Sequence, residues 1–271
     1  MDSITSIFLG IIQGLTEFLP ISSSGHLVIF QNLLGFREPE LLFDTSLHLG
    51  TLLAICIYFR SDLKQMVAES WHFIFDLSRG NRKLKSINEN PHASLLLWVL
   101  VGTVPTALIG LVFRSDLEDL FGSVDVVGLM LIFTGMIVVV TRWMSKDYSR
   151  RKEVGLLTAL AVGVAQGIAI IPGISRSGAT IVCGMACRME RTMAARFSFL
   201  LSIPAIIGAM LLQLGTGAFS GADLIPLIYG FICSALVGLV ALKILMGMVR
   251  RGNLSCFAPY CWALGLFIII F

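Results

Sequence analysis

Apolar runs long enough to cross a bilayer as α-helix, which takes about 20 residues, alternate along the chain with short charged segments. Six runs are uninterrupted, at 41–59, 93–113, 124–142, 197–214, 224–246 and 255–271. Two more, 4–34 and 154–187, are broken midway by proline, glycine and serine, at 20–25 and 172–178. Non-helical backbone at membrane depth is tolerated only where protein buries it or water lines it. The pattern therefore predicts an all-α polytopic membrane protein, with six transmembrane helices and two re-entrant helical hairpins. The opening "MDSITSIFLG" has no basic n-region and no small-residue cleavage site, and reads as mature sequence rather than a leader.

The loop charges orient these elements. Four segments, 60–90, 142–153, 188–196 and 243–252, hold 17 of the 20 Lys and Arg residues. The segments between them are acidic or uncharged: Glu38 and Glu40 near Arg37, Asp116, Glu118 and Asp119 near Arg114, and nothing charged at 215–222. By the positive-inside rule the basic set is cytoplasmic and the other external. The first broken segment must then leave from and return to the outside, and the second must leave from and return to the inside. Segment 61–78 separates charges from Met66, Val67, Trp71, Ile74 and Phe75, and predicts an amphipathic helix lying on the cytoplasmic face of the bilayer. Tyr58 and Trp143 fall at span ends as interfacial anchors, and Asp125 lies near enough to an outer end to be solvated.

The two broken segments are alike in sequence. "GIIQGLTEFLPISSSG" (10–25) and "GVAQGIAIIPGISRSG" (163–178) share G-x-x-Q-G, a following proline and S-x-S-G. Each is followed by three spans, so one membrane domain over 1–271 divides into an inverted repeat, about 4–142 and about 154–271. In that arrangement polar sites form near the midplane, between the broken helices.

Composition adds little except by exclusion. With 56% hydrophobic and 14% charged residues over 271 positions there is no sizeable soluble domain, and a net charge of +3 gives no reason to expect nucleic acid. Six cysteines (56, 183, 187, 233, 256, 261) lack C-x-x-C spacing and read as free thiols.

Ionisable residues at membrane depth are costly and usually functional. Gln13 and Glu17 are four apart on one helix face. The turn beyond them carries Ser22, Ser23 and Ser24, and His26 begins the return helix. The second turn carries Ser175, Arg176 and Ser177, with Thr180 one turn on. A guanidinium, hydroxyls and two helix N-termini describe a phosphate or diphosphate pocket. A carboxylate and a histidine beside it suit chemistry on that phosphate. Glu17 can bind a divalent cation or hold the tautomer of His26. His26 can act as general base or acid, and Ser23 or Ser24 as a nucleophile activated by it. Serines in membrane helices also serve only to bond backbone. Asp44 and His48, four apart on a later helix, are candidates for a supporting role.

"QGLTEFLPISSSGH" (13–26), with its Q-x-x-x-E, and "PGISRSGAT" (172–180) resemble the two signatures of the undecaprenyl-diphosphate phosphatases, also called bacitracin-resistance proteins. "LGTLLAI" (49–55) and "FSFLLSIPAIIGA" (197–209) resemble the same family. The resemblance implies hydrolysis of undecaprenyl diphosphate to the monophosphate at the external face of a bacterial cytoplasmic membrane. It implies a divalent cation, Mg or Ca, at Glu17 and Gln13, and catalytic roles for Glu17, Ser23, His26 and Arg176. Phosphate binding falls to Arg176, Ser22, Ser24, Ser175, Ser177 and Thr180. Some members have a second glutamate at the position of Gln13, so a two-carboxylate metal site is not implied here. The partners implied are a polyprenyl diphosphate and membrane lipid, and a homodimer is compatible with them. A polyprenyl-phosphate flippase or secondary transporter would use the same inverted-repeat pocket. "SSGH" (23–26) mimics the P-S-G-H motif of the other membrane phosphatase superfamily, but no His or Asp follows Ser175 and Arg176 at the spacing of its second motif.

Overall fold

The structure is a computed structural model that describes residues 2–36, 41–80, 84–144, 153–214 and 224–271. Arg37, Glu38, Glu40, Arg82, Lys83, Lys146, Arg150, Arg151, Lys152 and the loop 215–222, which carry part of the topology argument, lie outside the described residues. Twelve α-helices and no strand are found among the described residues: α1 Ser3–Thr16, α2 Ser23–Leu33, α3 Leu41–Tyr58, α4 Arg60–Ser78, α5 Pro91–Val112, α6 Arg114–Leu120, α7 Val124–Val139, α8 Leu156–Ile168, α9 Arg176–Ala186, α10 Arg191–Leu214, α11 Leu224–Arg251 and α12 Ala258–Ile270.

Among the described residues, four helices are long and apolar enough to cross a membrane: Pro91–Val112, Val124–Arg142, Arg191–Leu212 and Leu224–Arg251. A fifth passes only as a bent pair, α3 with α4, turned by 74° at Phe59. This differs in detail from six uniform spans. α10 begins six residues before its apolar run, and α11 continues through Arg250 and Arg251, because basic residues suit a helix C-terminus and need not end it. α12 has 13 residues after a 3-10 turn at Leu254–Phe257, about 20 Å of helix against about 30 Å of hydrocarbon.

The two broken segments fold as short helix, turn, short helix: α1 then α2, and α8 then α9. Each first helix crosses a helix from the other half of the chain. α1 packs on α11 and α8 on α5. Both crossings occur at glycine pairs. A Cβ at Gly10 would lie 2.7 Å from the Gly230 carbonyl oxygen, and one at Gly163 would lie 2.0 Å from that of Gly102. Thr106 Oγ1 donates to the Gly163 carbonyl at 2.8 Å, using the closeness that the glycines permit. Small residues that let backbones approach are the usual means of joining helices in lipid, where burial of apolar surface drives nothing. α7 and α12 also meet at glycines, with Gly128 and Gly265 against each other's carbonyls.

α4 leaves α3 at Phe59 and is held by two polar ties. Asp62 pairs with Arg196 of α10, and Glu69 accepts from His92 Nδ1 at 2.8 Å and from the His92 backbone N–H at 3.2 Å. Met66 and Phe73 are buried, whereas Val67, Trp71, Ile74 and Phe75 remain exposed.

Overpacking a close crossing costs about 1–3 kcal/mol. Gly163→Ala is therefore expected to lower the melting temperature in detergent by several degrees. Gly155→Ala, with nothing within 4 Å of its new Cβ, should leave it unchanged; equal melting of the two variants would show that the crossing carries no load.

Candidate active site

Each broken segment ends in the same local structure. Ser22 caps α2, its Oγ accepting from the Gly25 N–H at 3.2 Å. Ser175 caps α9, its Oγ accepting from the Gly178 N–H at 3.1 Å. The next serine but one touches the cap in both turns, Ser22 Oγ to Ser24 Oγ at 3.3 Å and Ser175 Oγ to Ser177 Oγ at 3.2 Å. The shared S-x-S-G is therefore a capping motif, and the residue between its serines is free to vary. That residue is Ser23 in the first turn and Arg176 in the second.

The two turns press against each other. A Cβ at Gly25 would lie 3.2 Å from Gly173 Cα, and one at Gly178 would lie 3.3 Å from Pro20 Cβ. The second turn is tied to α7 through Thr134, whose hydroxyl donates to the Gly173 carbonyl at 2.8 Å and accepts from the Ser175 N–H at 2.9 Å. Ser177 Oγ donates to the Leu19 carbonyl of the first turn at 3.3 Å. Gly173 has φ +94°, and Ser22 has φ +66° without being glycine. Such backbone costs about 1–3 kcal/mol and persists where the surroundings over-determine it.

Glu17, just past the end of α1, is the point on which this geometry converges. Phe18 beside it is fully buried, edge-on to Phe199 of α10 with centroids 5.7 Å apart, and anchors the turn. Glu17 as a residue is 5% exposed. Arg176 Nη2 donates to Oε1. Ser23 Oγ donates to Oε2 at 2.5 Å, and Gln13 Nε2 donates to the same oxygen at 2.8 Å. His48 of α3 brings Nδ1 to 3.5 Å from Oε2 and 3.0 Å from Gln13 Nε2. A carboxylate and a guanidinium removed from water need each other, since breaking such a pair costs about 3–5 kcal/mol. Arg176 keeps donors to spare, because a guanidinium has five N–H groups.

His26 stands apart from this cluster. Its Nδ1 lies 2.7 Å from the Ser22 carbonyl oxygen, which only accepts, so the proton is on Nδ1. Its Nε2 is left to accept from Tyr260 Oη of α12 at 2.7 Å. The two rings lie within 6° of parallel. The expected hydrogen bonds from His26 to Glu17 and to a serine hydroxyl are thus not formed. His26 sits four residues past the cap, and its Nδ1 reaches back to the cap's own carbonyl.

Other expected site residues divide between the carboxylate and its frame. Ser22 and Ser175 are buried as caps and Ser177 is buried on the Leu19 carbonyl, while Ser23 and Ser24 are half-buried. Thr180 is fully buried, donating to the Arg176 carbonyl at 2.7 Å and meeting Ser198 Oγ at 2.5 Å, so it braces α9 against α10. Asp44 accepts from Gln31 Nε2 at 2.6 Å, one turn of α3 before His48. Sequence reasoning missed Tyr260, Thr134, Gln31 and Ser198. Tyr260 is 234 positions from its partner and carries no local cue, whereas Gln31 and Thr134 were open to the same search for polar residues within apolar runs.

The family described as bacitracin resistance protein BacA matches residues 6–267. Relatives named undecaprenyl-diphosphatase match over the full length. That of Desulfosudis oleivorans is 45% identical over 269 residues, covering 98% of this chain and 97% of the relative. That of Desulforapulum autotrophicum is 43% identical over 272 residues, covering 100% and 98%, and that of Methanosphaera stadtmanae is 41% identical over 274 residues, with the same coverage. The chain, with both signature turns inside the matched span, belongs to the bacitracin resistance protein BacA family.

Proposed function

We propose that this multi-pass membrane protein is an undecaprenyl-diphosphate phosphatase. It hydrolyses the lipid diphosphate to undecaprenyl phosphate and inorganic phosphate, recycles the lipid carrier for cell-wall synthesis and confers bacitracin resistance. The observation that carries the reading is the Glu17 carboxylate, bonded from the first turn by Ser23 and from the second by Arg176. A hydroxyl on a carboxylate, beside a guanidinium with unused donors, suits phosphoryl transfer. The relatives' names supply the lipid diphosphate.

In this mechanism Ser23 Oγ attacks the terminal phosphorus and passes its proton to Glu17 as the new P–O bond forms. The bond from that phosphorus to the bridging oxygen breaks, and the oxygen leaves with undecaprenyl phosphate. Water then attacks the phosphoserine phosphorus, the bond to Ser23 Oγ breaks, and Glu17 returns its proton to that oxygen, giving inorganic phosphate and restoring Ser23. Arg176 stabilises the equatorial oxygens in both steps. The proton of the attacking water passes to His26 through Tyr260, whose hydroxyl gives its own proton to the Nε2 it already faces and takes the water's in exchange. Glu17 accepts the serine proton because its oxygen is already on Ser23, a role the spacing alone had left to His26. Glu17 and the buried Gln13 Oε1, which has no partner among the described residues, fit a hard divalent cation, Mg or Ca. When bound it would offset charge on the phosphate oxygens.

The full topology belongs to the same reading. Six spans and two re-entrant hairpins form an inverted repeat, about 4–142 and about 154–271. The paired caps and the paired glycine crossings of α1 on α11 and α8 on α5 support it. The exposed stripe of α4 lies on the cytoplasmic leaflet, and the site opens to the external side of a bacterial cytoplasmic membrane. Lipid tails stay between helices while the diphosphate reaches Glu17.

Purified protein with a polyprenyl diphosphate is expected to release phosphate, and EDTA to abolish the release. Glu17→Ala, His26→Ala and Arg176→Ala should each lower kcat/KM by at least about 10²-fold. Wild-type protein without metal-dependent release would sink the enzyme and favour a lipid flippase, while full activity in Arg176→Ala would remove the phosphate clamp. Ser23→Ala should abolish a trapped phosphoserine that Ser24→Ala retains; the reverse result reassigns the nucleophile. For topology, an impermeant maleimide on intact cells should label Ser115→Cys and spare the exposed Cys256. Labelling of Cys256 alone would invert the orientation.

A further inference from the structure

Glu17 faces a third element besides the two turns. On α3, His48 holds Nδ1 3.5 Å from Glu17 Oε2 and 3.0 Å from Gln13 Nε2, and that same amide nitrogen donates to Oε2 at 2.8 Å. One NH₂ group therefore bridges a carboxylate oxygen and an imidazole nitrogen. Its position marks a point where positive charge is stabilised from both sides. Gln13 is fully buried, and its Oε1 has no hydrogen-bond partner among the described residues. A buried unpaired acceptor costs about 1–3 kcal/mol. A half-turn of the terminal amide, which exchanges oxygen and nitrogen over a soft torsion, puts that acceptor in the nitrogen's place, where it, Glu17 Oε2 and His48 Nδ1 form a triangle that one small cation can cap.

We propose that His48, through Nδ1, is a ligand of the divalent cation at Glu17, with Gln13 Oε1 as the third protein donor. This rests on the reading above that such a cation acts at Glu17. Two donors on bonds of roughly 2.1 Å that stand 3.5 Å apart subtend about 110°, the relation of neighbouring ligands on one small cation. The other histidine at this depth is not available, since both its ring nitrogens are occupied by the Ser22 carbonyl and Tyr260. His48 also stands where a cation can reach it, its side chain 31% exposed against 3% for that of Glu17. Asp44, one turn earlier on the same face of α3, adds negative charge to that approach.

The consequence is a mixed nitrogen and oxygen site with one carboxylate. Among the described residues no three His, Cys, Asp or Glu side chains cluster for a metal, so the protein alone supplies a weak site that substrate phosphate oxygens complete. An imidazole ligand moves preference away from Ca²⁺ and Mg²⁺ toward ions such as Fe²⁺ and Zn²⁺, while Mn²⁺, an oxygen-preferring ion like Mg²⁺, serves as the paramagnetic probe of the same site.

The test uses full-length protein in detergent with Mn²⁺ as the probe, with and without inorganic phosphate, read by electron spin-echo envelope modulation. Wild type should show histidine ¹⁴N modulation that becomes ¹⁵N on labelling the four histidines. His48→Gln, checked for folding by thermal melting, should lose it and weaken Mn²⁺ at least about tenfold. His26→Gln, His72→Gln and His92→Gln should each retain it, which assigns the ligand by elimination even if the His48 variant does not fold. Bound Mn²⁺ without histidine modulation, or modulation that survives His48→Gln, overturns this assignment and leaves a cation at Glu17 standing. Absence of Mn²⁺ binding with and without phosphate overturns both.

Discussion

The ion pair between Glu17 and Arg176 is the constraint to which the rest of the structure answers. Each charge sits in a chain that is otherwise apolar for tens of residues, and neither can be left alone away from water. They come from turns 159 positions apart, so the two halves of the chain cannot fold independently and keep both charges satisfied. Pairing them also brings together the N-termini of α2 and α9, whose first N–H groups Ser22 and Ser175 cap. The same contact that makes burial tolerable thus assembles the site.

Holding two turns in register takes rigid supports on both sides. The glycine crossings of α1 on α11 and α8 on α5 set how far each short helix reaches. The serine caps then satisfy the first N–H groups of α2 and α9, and Thr134 and Ser177 stitch the second turn to α7 and to the first turn. The caps Ser22 and Ser175 are spent on backbone N–H groups and Ser177 on a backbone carbonyl, while Ser23 and Arg176 project to the carboxylate. A repeated motif has been given two tasks by varying one residue between its serines.

Much of the fold was legible because hydropathy over a helical length is a strong local signal in lipid. The breaks at 20–25 and 172–178 were equally plain, since proline and consecutive serines do not continue a buried helix. Helix ends were less so. α11 runs through Arg250 and Arg251 and α10 starts at Arg191, because charged residues at an interface end the apolar run without ending the helix. The shortness of α12 comes from the 3-10 turn before it, which apolar composition does not mark.

The sequence by itself determined which residues stand out: Gln13, Glu17, His26, Arg176 and the serines are polar where lipid penalises polarity, and Asp44 and His48 share one helix face. Which of them meet was decided only by tertiary structure. His26 lies nine residues from Glu17, yet its ring is turned to the Ser22 carbonyl and to Tyr260. His48 and Arg176, far along the chain, meet Glu17 instead. The reason is geometric: spacing along one helix fixes a face, but the direction a side chain takes beyond a turn depends on the backbone of that turn and on the helices packed against it.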